Sequence, residues 1–135
     1  MIVCLDANIV IYLVERNPIW EPKVAVRLKA FAASGDTLAV CDLARAECLI
    51  GPLRSGNTGV VAEYQKFFAS PSVQMLPLTV GVCERAAEVR IASALYFELP
   101  DCLHLAAAIE HGCGLFLTND VQLARCTAIP VEVLT

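Results

Sequence analysis

Ile2-Val3-Cys4-Leu5-Asp6-Ala7-Asn8 is the stretch that decides how the chain is read. Four apolar residues, β-branched at the first two, run straight into a carboxylate. An apolar run without alternation suits a strand buried on both faces, the kind found inside parallel sheets. Asp6 then stands at the carboxyl end of that strand, the edge at which open α/β sheets bind ligands. A helical run over residues 9–15 follows at once.

Working outward, the pattern keeps alternating. Asn17-Pro18 breaks the first helix. A second helix spans 23–33, and 37–41 reads as a second buried strand. Asp42 is placed to cap a helix running to about residue 54, with Gly51-Pro52 disturbing its end. A helix over 60–69, a strand over 73–76 and a long helix over 80–96 come next. Asp101 opens a helix that ends near His111-Gly112. A fourth strand covers 114–118, a short helix 121–125 and a last strand 131–134. The alternation predicts a three-layer α/β/α sandwich around a mainly parallel, five-stranded sheet. At 135 residues the chain is expected to be a single domain over 1–135, large enough to bury a core.

Hydrophobic residues make up 57% of the chain, yet no apolar stretch reaches the roughly 18 residues of a membrane span. An acid at position 6 rules out the basic start of a signal peptide, so the expected location is cytoplasmic. The apolar surplus points to a surface for a second copy or another partner. Seven cysteines form no C-x-x-C pair, which weakens zinc and thioredoxin readings; they read as reduced, buried small hydrophobes. Net charge is −4, from 10 basic and 14 acidic residues. A nucleic-acid substrate ordinarily calls for a basic face, so the balance needs an explanation.

Four acids stand at corresponding places in the pattern. Asp6 ends the first strand. Glu47 lies inside the helix after the second strand, Asp101 opens the helix before the fourth, and Asp120 lies just beyond it. In a doubly wound sheet such positions converge at one edge. Acids held together raise one another's pKa, so the cluster calls for a positive guest. The fitting guest is a hard divalent cation, Mg²⁺ or Mn²⁺, which activates water and neutralises phosphate charge. Taken singly, Asp101 and Asp120 also fit plain helix capping, and Glu47 an exposed helix position. A lone carboxylate ending an apolar strand, as Asp6 does, is costly without a partner. Asn8 and Thr118 are candidates to orient a carboxylate, with turn chemistry and strand propensity as the plain alternatives. His104, one turn after Asp101, fits a supporting role better than metal ligation.

Leu5-Asp6-Ala7-Asn8, Arg45-Ala46-Glu47, the run from Pro100 to Ala106, and Phe116-Leu117-Thr118-Asn119-Asp120 together resemble a PIN domain. More narrowly, the chain is similar to the VapC-type toxins of bacterial and archaeal toxin–antitoxin pairs. The resemblance covers nearly the whole chain. It implies a compact α/β/α fold and a Mg²⁺- or Mn²⁺-dependent endoribonuclease with Asp6, Glu47, Asp101 and Asp120 as its metal-holding and catalytic acids. It also implies homodimerisation and inhibition by a small VapB-like antitoxin, with DNA reached only through that antitoxin. The charge balance then makes sense. Setting the four acids aside leaves ten of each sign, so RNA is not excluded. Arg16, Arg45, Arg54 and Arg125 are candidate phosphate contacts. Two other readings compete. A haloacid-dehalogenase-type phosphatase wants a second Asp where Asn8 stands. A catalytically inactive PIN-like module would bind RNA or protein without cutting, and has no reason to keep four repelling acids.

Overall fold

A computed structural model describes all residues from Met1 to Thr135. The apolar run at the start forms β1 (Ile2–Leu5), followed directly by α1 (Ala7–Val14) and α2 (Glu21–Ala33). Then come β2 (Thr37–Cys41), α3 (Leu43–Ser55), α4 (Thr58–Phe68), β3 (Val73–Leu76) and α5 (Val80–Ala92). The chain closes with α6 (Leu99–Glu110), β4 (Leu115–Thr118), a 3-10 turn at Val121–Arg125, and β5 (Val131–Val133). The sheet has the order β3-β2-β1-β4-β5 and every pairing is parallel. This is the α/β sandwich expected, with a sheet wholly rather than mainly parallel.

β1 sits at the centre because both its faces are apolar. Val3 and Leu5 point to one layer with Ile9, Val24, Phe31, Ala44, Tyr64 and Phe68, which brings α1 to α4 onto that side. Cys4 points to the other with Val82, Ala86, Leu105, Ala106 and Phe116, which brings α5 and α6 there. A strand clamped between two such layers has no use for polar alternation. The small residues Ala106, Ala107 and Ala108 let α6 lie close on the sheet and are fully buried. All seven cysteines are free, and four of them, Cys4, Cys41, Cys48 and Cys102, are buried. No helix is long and apolar enough to cross a membrane.

The strand order reverses at β1. β2 and β3 lie on one side of it, β4 and β5 on the other. The carboxyl ends of β1 and β4 therefore border the switch point at which such sheets bind ligands.

Three local expectations need correction. The helix expected over 80–96 ends at Ala92, because Ala94 and Leu95 take left-handed backbone conformations with φ of 53° and 64°. The Ser93 hydroxyl supports that turn, donating to the Arg90 carbonyl and accepting from the Phe97 amide. Asp42 precedes α3 but makes no side-chain cap; its carboxylate takes the Arg45 guanidinium at 2.8 Å instead. Asp101 does not open its helix. α6 begins two residues earlier, at Leu99, with Pro100 in its first turn and Asp101 inside that turn.

Candidate active site at the carboxyl edge of the sheet

Asp6 leaves β1 at the switch point and caps α1, its Oδ1 accepting from the Ala7 amide at 2.8 Å. Its own amide bonds to the Leu117 carbonyl at 2.9 Å, which pins the residue to β4. The Thr118 hydroxyl donates to Asp6 Oδ2 at 2.7 Å, and Asn8 Nδ2 approaches the same oxygen at 3.3 Å. Thr118 Oγ1 in turn accepts from the Asp120 amide at 3.0 Å. The hydroxyl thus joins the two acids across the β1–β4 edge. Asp120 does also cap the 3-10 turn, accepting from the Gln122 amide, as its plain reading allowed.

Asp6 is only 6% exposed. Burial raises its carboxyl pKa, against the opposing pull of His104, Thr118 and the Ala7 amide. Asp101, reaching in from α6, is pushed up to about 6 by burial and by the charges of Asp6, Asp120 and Glu47. The four acids therefore lie within electrostatic reach of one another, although they are spread over 114 positions of the chain. No lysine or arginine pairs with any of them.

The only cationic group in the cluster is His104, which is 1% exposed. Its Nε2 is in direct contact with Glu47 Oε1. Burial lowers its pKa, but the Cys41 thiol, Glu47 and the charge of Asp6 outweigh that and raise it to about 10. Its Nδ1 is buried without a hydrogen bond of ordinary geometry. His104 therefore stands behind a carboxylate rather than beside an ion.

As placed, no three of the His, Cys, Asp and Glu side chains are grouped into a ready metal cage. Glu47 is drawn to His104, and Asp6 is drawn back to Thr118 and Ala7. The donor set is nonetheless all carboxylate oxygen, crowded and without a fixed cation other than that histidine. Such a set suits a hard divalent ion. A consequence can be measured. With metal chelated at pH 7, Asp101→Asn removes a charge that three neighbouring acids oppose, and is expected to raise the melting temperature by a few degrees, on the order of 1 kcal/mol. An unchanged or lower melting temperature in EDTA would show that Asp101 is not under that repulsion.

Sequence reading passed over two further members of the site. Asn119 donates from its backbone amide to Asn8 Oδ1 and accepts the Tyr12 hydroxyl at 2.8 Å. Tyr12 stacks on Trp20 with ring centroids 5.7 Å apart. The position of Asn119 between Thr118 and Asp120 was the available signal; Tyr12 gave none, since its spacing is that of any helix face. Among the candidate phosphate contacts, Arg45 is paired with Asp42, and Arg125 lies over the Tyr96 ring at 4.1 Å.

A parallel, doubly wound sheet with a carboxylate cluster at its switch point defines a class of α/β domain suited to metal-assisted chemistry. Residues 3–128 match the PIN domain, and the chain belongs to that family. No curated protein matches it in sequence. Solved structures share its fold at low identity. VapBC2 from Rickettsia felis, bound to a DNA fragment from its promoter, aligns with a TM-score of 0.82 at 19% identity over 100% of both chains. VapBC-1 from nontypeable Haemophilus influenzae gives 0.75 at 20%, over 99% of this chain and 98% of that one. Mycobacterium tuberculosis VapC20, a sarcin–ricin loop cleaving toxin, gives 0.70 at 14%, over 95% and 98%.

Proposed function

We propose that this chain is a Mg²⁺- or Mn²⁺-dependent endoribonuclease and the toxin of a VapBC-like toxin–antitoxin pair. The observation that carries the reading is the meeting of Asp6, Glu47, Asp101 and Asp120 at the carboxyl edge, where burial and then its acidic neighbours push Asp101 up to about 6 and no basic side chain but His104 is paired with any of them. A domain keeps such a group at a cost in stability, and function is the usual reason. Family membership and the toxins among the structural neighbours support the same reading. The VapBC complexes among those neighbours support an antitoxin partner.

Asp6, Glu47, Asp101 and Asp120 would hold the ion. When bound, a divalent ion lowers the pKa of a water and neutralises charge on a phosphate. The remaining work falls to the chain's own groups. Thr118 and Asn8 hold the Asp6 carboxylate at the end of β1. His104 restrains Glu47 from the buried side. The exposed apolar residues Ile50, Leu53, Ile91 and Leu95 leave surface for a second copy and for the antitoxin. Residues 1–135 act as one unit in this reading.

The test is direct. The purified chain is incubated with total RNA and Mg²⁺ or Mn²⁺, with and without excess EDTA. Discrete fragments are expected with metal and none with EDTA, together with a higher melting temperature when metal is present. Cleavage that persists in EDTA, or a melting temperature indifferent to metal, would overturn the proposal.

A further inference from the structure

A cleft opens beside Glu47 on the α1–α3–α4 side of the site, with a volume of about 270 Å³. Ile11 and Val60 give it apolar walls, while Glu15, Glu47, Ser55 and Asn57 give it polar ones. A flat ring system fits that space, with its faces against Ile11 and Val60 and its edge toward the polar groups.

Glu15 is the group the nuclease mechanism does not use. The Tyr64 hydroxyl donates to its Oε2 at 2.5 Å, and Tyr64 itself is fully buried. The carboxylate is therefore fixed from below. Glu15 forms no ion pair, and its Oε1 accepts no bond from the protein. Asn57 is fixed as well, since its Oδ1 accepts from the Val60 amide at 3.1 Å. That orientation leaves the Asn57 Nδ2 hydrogens to be donated. The cleft thus offers a two-oxygen acceptor and an amide donor.

Of the RNA bases, guanine matches this set. Its N1–H and N2–H₂ donate side by side, and its O6 accepts on the same edge. Adenine and cytosine bring one donating amino group each. Uracil offers one donor, N3–H, flanked by two carbonyl oxygens that the Glu15 carboxylate would repel. We propose that this cleft is a nucleobase subsite, which seats a guanine next to the scissile phosphate and reads its edge through Glu15 and Asn57. The assignment rests on the nuclease reading for where the phosphate lies. The cleft places a neutral, donating base where a phosphate would be repelled, so an acidic chain can hold RNA over a small footprint.

The test uses four fluorescent RNA octamers, one all uridine and three with a single central G, A or C. Binding is followed by anisotropy with Mg²⁺, using Asp101→Asn protein so that the RNA stays intact. The guanine octamer is expected to bind roughly tenfold or more tighter than the all-uridine one. Adding Glu15→Gln should erase the preference while leaving the melting temperature unchanged, because Gln still accepts from Tyr64. Equal binding of the four RNAs, or a preference that survives Glu15→Gln, overturns the subsite. So does failure of all four RNAs to bind. Cleavage by wild-type protein is scored separately. Guanine preference without cleavage keeps the subsite and sinks the nuclease reading; cleavage without base preference does the reverse.

Discussion

Asp6→Asn is expected to abolish metal-dependent RNA cleavage, a loss of about a thousandfold or more, while the fold survives. The size follows from chemistry: removing one oxygen ligand's charge from a site whose ion lowers the barrier by several kcal/mol forfeits most of that help. The survival follows from geometry. Asn keeps one oxygen to accept from the Ala7 amide, and the backbone amide of residue 6 still bonds to the Leu117 carbonyl; the bonds from Thr118 and Asn8 to the second oxygen are lost to an NH2 group. Asn also relieves a carboxyl that burial already disfavours, which offsets that loss, so the variant should stay folded. Activity on total RNA and thermal melting are read on the same sample. Wild-type cleavage by a folded Asp6→Asn protein would remove Asp6 from the chemistry.

Stability should fall by a few kcal/mol as pH rises from about 6.5 to about 10, and His104 is the reason. Its folded pKa is raised to about 10 from an ordinary 6.5. A base with a raised folded pKa contributes stability that is fully present below 6.5, fades through the interval and is gone above 10. The magnitude is at most on the order of 5 kcal/mol, by the rule of about 1.4 kcal/mol per unit. Urea unfolding at pH 6 and pH 10 measures it, and comparison with His104→Gln removes the contribution of other titrating groups. Gln retains a nitrogen donor toward Glu47 but carries no proton to lose. If the two proteins show the same pH dependence, the buried His104–Glu47 pair is not a charged one.

Much of the architecture could be read from the chain because β1, β2 and β4 are short, continuous apolar runs bounded by polar residues. Only burial on both faces explains such runs, and parallel pairing follows. What could not be read lay where side chains choose between partners of equal merit. Asp42 had a vacant helix end and an arginine one turn on, and the arginine won. The end of α5 was hidden because Ala94 and Leu95 accept a left-handed turn with no glycine to announce it. The Arg90 guanidinium reaching the Phe97 carbonyl holds that turn, a tertiary bond outside the reach of any propensity.

The candidate site was legible in its acids and in Asn8, Thr118 and His104 as candidate supports, but not in which acid each support touches. A carboxylate after an apolar strand announces itself, and four acids in one topological position announce one another. The contact of Glu47 with His104 spans 57 residues, and that of Thr118 with Asp6 spans 112. Neither pairing has a local pattern. The same limit hid Asn119 and Tyr12, whose meeting depends on α1 lying across the end of β4.

The long reach between Asp6 and Thr118 bears on the protein's birth as well as its work. A ribosome emits the first acid early, but the strand that completes its surroundings emerges after almost everything else. A nascent or truncated polypeptide that stops short of β4 carries Asp6 without the hydroxyl that fixes it or the neighbour strand that pins it. On the nuclease reading proposed above, synthesis itself would act as a safety catch, released only when β4 has joined β1.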